Sequence, residues 1–288
     1  MLHETIYEAF IRVDNIAGVI VFADWLKAHI RPLINERKEK KQLQNELFTF
    51  LEKNVYCDMG FVHPYLVERK LPHPDNEKAL GEISHSIYNY FRGNREIIYA
   101  KNVGYVDLKE NVCSLGSPVS SRLSRKGMGY PLEGNLGKEP STKLPFIFNL
   151  NEKDLGEVTR MMKGKKWTVK NWAIINRDSG EEFEPRFNPD GYLKTDYLLI
   201  TIIPNFLTEQ GMRNNKVLGM IGGCHGPGTK AIGKVLEDVK LLEKMKKEKG
   251  DYDYYQSLFK ISKLKHTKTD CIPVKVDHVK TIPLDLNL

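Results

Sequence analysis

Lys216-Val217-Leu218-Gly219-Met220-Ile221-Gly222-Gly223-Cys224-His225-Gly226-Pro227-Gly228-Thr229 is the stretch on which the reading of this chain turns. Lys216 to Ile221 is an apolar run of buried-strand type. From Ala231 to Lys247 a helical pattern follows, with Ile232, Val235, Val239, Leu242 and Met245 on one face. A strand that turns at once into a helix asks for residues tolerant of positive φ, and glycine adopts that conformation without strain. The missing side chains also let an anion approach backbone N–H groups at the positive end of the next helix. Gly222, Gly223, Gly226 and Gly228 therefore predict a phosphate-binding turn, in which Thr229 caps the helix or donates its hydroxyl to a phosphate oxygen. The spacing excludes a P-loop NTPase, because Thr229 stands in the lysine position and Lys230 comes one place late. It also fails the G-x-G-x-x-G dinucleotide fingerprint.

A second loop, Gly116-Ser117-Pro118-Val119-Ser120-Ser121-Arg122, follows the short apolar run Val112 to Leu115. Its hydroxyls and guanidinium suit a phosphate held bidentately. Two such loops at the carboxyl ends of parallel strands would face one crevice. Tyr197 to Ile203 is a continuous β-branched and aromatic run, expected in the middle of a sheet. Asn205, past Pro204 at its far end, is expected where carboxyl-end ligands gather, and Asp196, just before the run, ranks second to it. His225 inside the glycine loop is expected near solvent, and it is the first group to test if the protein is an enzyme. Cys224 reads as a small buried residue after a strand.

Working outward, residues 1–53 read as a helical segment. Ile6, Phe10, Val13, Val19, Phe22, Leu26 and Ile30 recur at helical steps, and Pro32 is expected to end one helix and start the next. Residues 54–288 read as one α/β domain, an open, mostly parallel Rossmann-like sheet with flanking helices. It includes a helical stretch from Glu77 to Phe91, a long loop at 124–145 and strand signals at Ile97 to Tyr99 and Trp167 to Ile175. Antiparallel edge strands are expected at Leu258 to Leu264 and Ile272 to Val279.

At 288 residues and 41% hydrophobic content the chain can bury a core of that size. A formal charge of +7 favours anionic partners, nucleotide or nucleic acid, without choosing between them. Cys57, Cys113, Cys224 and Cys271 lie far apart and build neither a C-x-x-C pair nor a zinc spacing. H-E-x-x-H and EF-hand patterns are missing too, so no metal is expected. The dispersed cysteines imply a reducing compartment. No signal-peptide series opens the chain, and Ile16 to Trp25 is broken by Asp24 and too short to span a bilayer. A cytoplasmic protein without membrane contact is therefore expected.

With these loops in view, Val112 to Leu242 resembles Rossmann-like nucleotide-binding modules of the lysine-decarboxylase-like (LOG and SLOG) kind, which pair an early G-S loop with a later G-G-x-G-T loop opening a helix. Gly116-Ser117 matches the first, and Gly222-Gly223 with Gly228-Thr229 the second. Cys224 to Pro227 are extra residues, and Lys230-Ala231 stand where the hydrolase members carry a glutamate. The wider series G-S-P-V-S-S, G-E-E-F-E-P, D-Y-L-L-I, P-N-F and G-G-x-H-G-x-G-T is similar to a module of bacterial signalling and defence proteins. The resemblance implies a nucleotide ligand, sensed as a signal or cleaved at an N-glycosidic or phosphoester bond. Phosphates would lie on Gly223 to Thr229, Ser117, Ser121 and Arg122, with a base or sugar near Asn205 and His225.

Two other classes stay open. A nucleic-acid-binding regulator would use the basic tracts Arg37 to Lys41, Lys163 to Lys170 and Lys244 to Lys249, with Trp167 and Trp172 as stacking platforms. An assembly protein would form a homo-oligomer through its N-terminal helices.

Overall fold

The computed structural model describes residues 16–48, 51, 54–58, 78–79, 81–82, 96–100, 109–132, 137–151, 155–162, 165–268 and 270–286, with backbone alone at 16–30, 54–58, 96–100 and 162. Ile6, Phe10 and Val13, most of the expected helix at 77–91 and part of the 124–145 loop lie outside these residues; 78–79 and 81–82 are helical.

In chain order the described elements are α1 (Ile16–Leu47), β1 (Asn54–Asp58), β2 (Glu96–Ala100), β3 (Val112–Leu115), α2 (Arg122–Gly127), β4 (Phe146–Asn149), β5 (Glu157–Met162), β6 (Lys165–Lys170), β7 (Ala173–Asn176), β8 (Glu182–Phe183), β9 (Arg186–Phe187), β10 (Leu193–Pro204), α3 (Glu209–Arg213), β11 (Val217–Gly223), α4 (Gly226–Lys230), α5 (Ile232–Glu237), α6 (Val239–Lys249), β12 (Tyr255–His266) and β13 (Cys271–Pro283). The main sheet has the order β13-β12-β10-β11-β3-β1-β2, with β9 on the end of β10.

The expected open, mostly parallel Rossmann-like sheet is not what forms. β11, β3, β1 and β2 are parallel, but β10 runs antiparallel to β11 and to β12, and β12 antiparallel to β13, so the sheet is mixed. Asn205 to Lys216 join β10 to β11 with twelve residues, the least that a parallel crossover needs, but they hold only the five-residue α3 where such a crossover usually carries a full helix to span the sheet. The chain therefore returns beside itself. Tyr197 to Ile203 is central, as its composition predicts, whereas of the two tail strands only β13 is an edge.

Alternate residues of β10 feed two cores. Leu198, Ile200 and Ile202 pack with Ile232, Leu236, Leu242 and Met245 of the helical layer. Tyr197, Leu199 and Ile203 pack with Leu123 of α2 and with Phe146, Ile174 and Phe183 of a second sheet, β4-β7-β8. A strand buried on both faces reads as a near-continuous apolar run, which this one does from Tyr197 to Ile203, interrupted only by Thr201. Trp167 to Ile175 divides between two sheets, β6 pairing with β5 and β7 with β4.

Two helix expectations also change. α1 runs through Pro32 instead of ending there. The helix expected from Ala231 to Lys247 is split in two at Asp238, which leaves helical geometry and caps α6, its carboxylate accepting from Lys240 N at 2.9 Å and Leu241 N at 3.2 Å. Among the described residues no helix is long and apolar enough to cross a membrane.

Candidate functional site

The two loops do meet. A Cβ placed on Gly222 would fall 2.6 Å from Ser117 Cα, so the turn after β3 and the turn after β11 are in backbone contact. Gly116 has φ 108, donates its N–H to Ile221 O at 2.8 Å and accepts from Ser124 Oγ at 2.7 Å. Ser117 O takes the N–H groups of Ser120 and Ser121, at 2.9 Å each. Ser121 caps α2 through Ser124 N and shares a hydrogen bond of 2.8 Å with Ser114 Oγ. Its hydroxyl is thus committed inside the protein. Arg122, the first residue of α2, is half-buried.

The glycines of the second loop serve close approach and not positive φ, since Gly222, Gly223, Gly226 and Gly228 all lie outside that region. A Cβ on Gly223 would meet Gly228 Cα at 2.5 Å, and one on Gly228 would overlap Tyr197 O. α4 is pressed onto the ends of β10 and β11, and only residues without side chains permit that contact.

The amides of Gly223, His225 and Gly228, expected to cradle a phosphate, are occupied. Asp196, fully buried, accepts from Tyr197 N at 2.8 Å and His225 N at 3.2 Å through Oδ1, and from Gly228 N at 2.6 Å through Oδ2. Thr229 Oγ1 accepts from Gly223 N at 2.9 Å. A carboxylate from the neighbouring strand therefore sits where an anion was expected. Burial pushes the Asp196 carboxyl up to about 7, against the pull of those N–H donors and of the Arg160 guanidinium.

His225 is buried instead of solvent-near. Arg160, on β5, donates from Nη1 to its Nδ1 at 3.4 Å, and its Nε2 donates to Asn171 Oδ1 at 3.3 Å. Asn171 Nδ2 donates in turn to Glu184 at 2.8 Å and Pro185 O at 3.0 Å, which fixes the amide orientation and with it the neutral tautomer of the ring. Burial, and then Arg160, holds His225 well below its ordinary pKa. Phe187 packs edge-on against the imidazole, centroids 5.4 Å apart. Cys224 is buried as expected, and burial followed by the nearby Asp196 pushes its thiol up, away from thiolate chemistry.

Asn205 is not at this site. Because β10 is antiparallel to β11, its carboxyl end lies at the opposite end of the sheet, where Asn205 donates to Glu110 O at 2.9 Å and its N–H reaches Lys216 O at 2.7 Å. The same reversal brings in Asp196, from the other end of the strand. Asp196 carried a usable signal: it shares a strand face with Leu198, Ile200 and Ile202, so alternation buries it. Arg160 and Asn171 carried none, since their places depend on how the β5–β6 hairpin folds over.

No protein-family model matches the chain, and no curated protein or solved structure does. The chemistry must be read from the geometry. Beside the loops, on the small-sheet side of Gly222, the crevice lined by Gly116, Ser117, Ser124, Leu199 and Thr201 is closed, without room for a water molecule. Pockets for small ligands run to roughly 300–1,000 Å³, so a nucleotide would fit only if the loops or the hairpin part. No group of histidine, cysteine and carboxylate side chains suited to a metal occurs among the described residues.

Proposed function

We propose that the protein recognises a nucleotide, or another phosphate-bearing small molecule, at the rim where the Gly116–Arg122 turn meets the β11–α4 turn beneath the β5–β6 hairpin. One observation carries this reading. Arg160 reaches His225 from the hairpin at 3.4 Å, so a guanidinium and a neutral imidazole share the carboxyl ends of β3 and β11, where ligands of parallel strands gather. The anion would be held by side chains, Arg160 and Arg122, while the glycines keep the loops closed against each other. β5–β6 is the part able to lift, since Thr159 and Lys165 to Thr168 are exposed and bury little against the body.

Recognition is favoured over cleavage of an N-glycosidic or phosphoester bond, because both ring nitrogens of His225 are engaged, by Arg160 and Asn171, and neither is open to exchange a proton. The resemblance to nucleotide-sensing modules of bacterial signalling and defence proteins, and a cytoplasmic setting, belong to the same proposal.

The test begins with the supernatant of denatured purified protein, examined by mass spectrometry for a released nucleotide, followed by calorimetry with a nucleotide panel. Arg160→Ala should weaken binding at least tenfold, about 1.4 kcal/mol, the scale of a charge-assisted hydrogen bond. Equal affinities would end the proposal. So would co-purifying nucleic acid with a steep salt dependence, which would point to Trp167, 49% exposed beside Lys165 and Lys166, as a stacking surface.

A further inference from the structure

Arg160 and Trp167 stand directly opposite each other in the antiparallel register of the β5–β6 hairpin. Their side chains therefore leave the same face, with Cβ atoms about 4.5–5.5 Å apart. Arg160 reaches His225 from there, which makes this the face turned to the body. Along it Val158, Val169 and Arg160 are half-buried, whereas Trp167 is 49% exposed. Among the described residues no hydrogen bond or ring contact engages its indole. Strand alternation adds Lys165 to this face and sends Glu157 to the other, so the hairpin sets no carboxylate beside the guanidinium.

An open indole beside a guanidinium, on a face otherwise apolar and cationic, fits a ligand with an anion at one end and a flat ring at the other. With the anion on Arg160, the rest of the ligand cannot run inward. The crevice between Gly116 and Gly222 is closed, and Asp196 occupies the amides of His225 and Gly228. It runs outward instead, along the hairpin, and the next side chain it meets is Trp167. A polynucleotide suits this surface less well than a single nucleotide. Lys166 and Lys170 project from the opposite face, so the basic residues of β6 are divided between two faces and form no continuous track for a phosphate backbone.

We propose that Trp167 is the base platform of the site: the ring of a nucleotide stacks on the indole while its phosphate is held by Arg160. This rests on the nucleotide reading and adds to it that the site requires a base, without choosing which, since every base presents a π face. Calorimetry on the full chain tests it with adenosine, guanosine and uridine mono- and triphosphates, and with inorganic tripolyphosphate as the probe that lacks a base. Trp167→Ala should weaken the nucleotides at least tenfold and leave tripolyphosphate unchanged, and Trp167→Phe should recover most of the loss. Trp167 is half exposed, so both variants should keep the parent's cooperative melt. In a chain carrying Trp25→Phe and Trp172→Phe, Trp167 is the last of the three tryptophans, and nucleotides but not tripolyphosphate should quench its fluorescence. A parent that binds tripolyphosphate as tightly as nucleotides, or a Trp167→Ala protein that loses both equally, would overturn the proposal. If Arg160→Ala weakens every anion while Trp167→Ala weakens none, the platform falls and the phosphate site stands; if Arg160→Ala changes nothing, both fall. A single-stranded oligonucleotide bound more tightly than any mononucleotide would overturn it in favour of nucleic acid.

Discussion

Gly228→Ala tests the loop at its tightest point. The added Cβ would overlap Tyr197 O and lie 2.8 Å from Gly223 Cα and 3.0 Å from Asp196 Oδ2. Carbon atoms in contact rest ~3.5–4.0 Å apart, so α4 must move off the sheet by on the order of 1 Å. That displacement breaks Gly228 N to Asp196 Oδ2, 2.6 Å, and strains Gly223 N to Thr229 Oγ1, 2.9 Å. A hydrogen bond to a charged group contributes about 1.5–3 kcal/mol and a neutral one about 0.5–1.5. The expected loss at pH 8, with Asp196 ionised, is therefore about 2–4 kcal/mol. In a domain of this size it lowers Tm by on the order of 10 °C. Gly180→Ala is the control: Gly180 has φ +71 and nothing within 4 Å of an added Cβ, so it carries only the left-handed strain of about 1–2 kcal/mol. Thermal melting and urea titration of both variants beside the parent make the comparison. A Gly228→Ala protein that melts with the parent, or above the control, would refute close packing as the reason for the glycine.

Two further outcomes follow from the same geometry. Asp196 is raised to about 7 in the folded protein from an ordinary value near 3.8. Between those values the folded chain holds a proton that the unfolded chain releases, so this group's contribution falls as pH rises from about 4 to about 7. His225, lowered on folding, acts in the opposite sense below about 6.5. The stability difference between the parent and Asp196→Asn isolates the carboxyl and should decline across that window in urea titrations; a flat difference counts against a buried, protonated Asp196. Phe48→Ala should destabilise the α/β body by about 3–5 kcal/mol in urea unfolding, because the ring is fully buried beneath it; an unchanged midpoint would mean that α1 does not dock there.

What the sequence determined by itself is local. The apolar run Tyr197 to Ile203 had to be a central strand, because residues apolar on both faces belong between two layers, and the Gly222 to Thr229 turn had to bring a strand end and a helix start together. The contact of that turn with Gly116-Ser117 was also legible, since both follow short buried runs that pair in parallel. Strand direction was not. Whether β10 lies parallel or antiparallel to β11 depends on where a twelve-residue connection can travel, and local propensity carries no sign for it. That one sign moved Asn205 to the far end of the sheet and brought Asp196 onto the amides of the glycine loop. It turned a predicted phosphate cradle into a turn closed by the protein's own carboxylate. Arg160 and Asn171 came to His225 through a hairpin folding over from a separate sheet, a long-range approach that only the tertiary structure could decide, because no spacing along the chain encodes which distant surface a hairpin will cover.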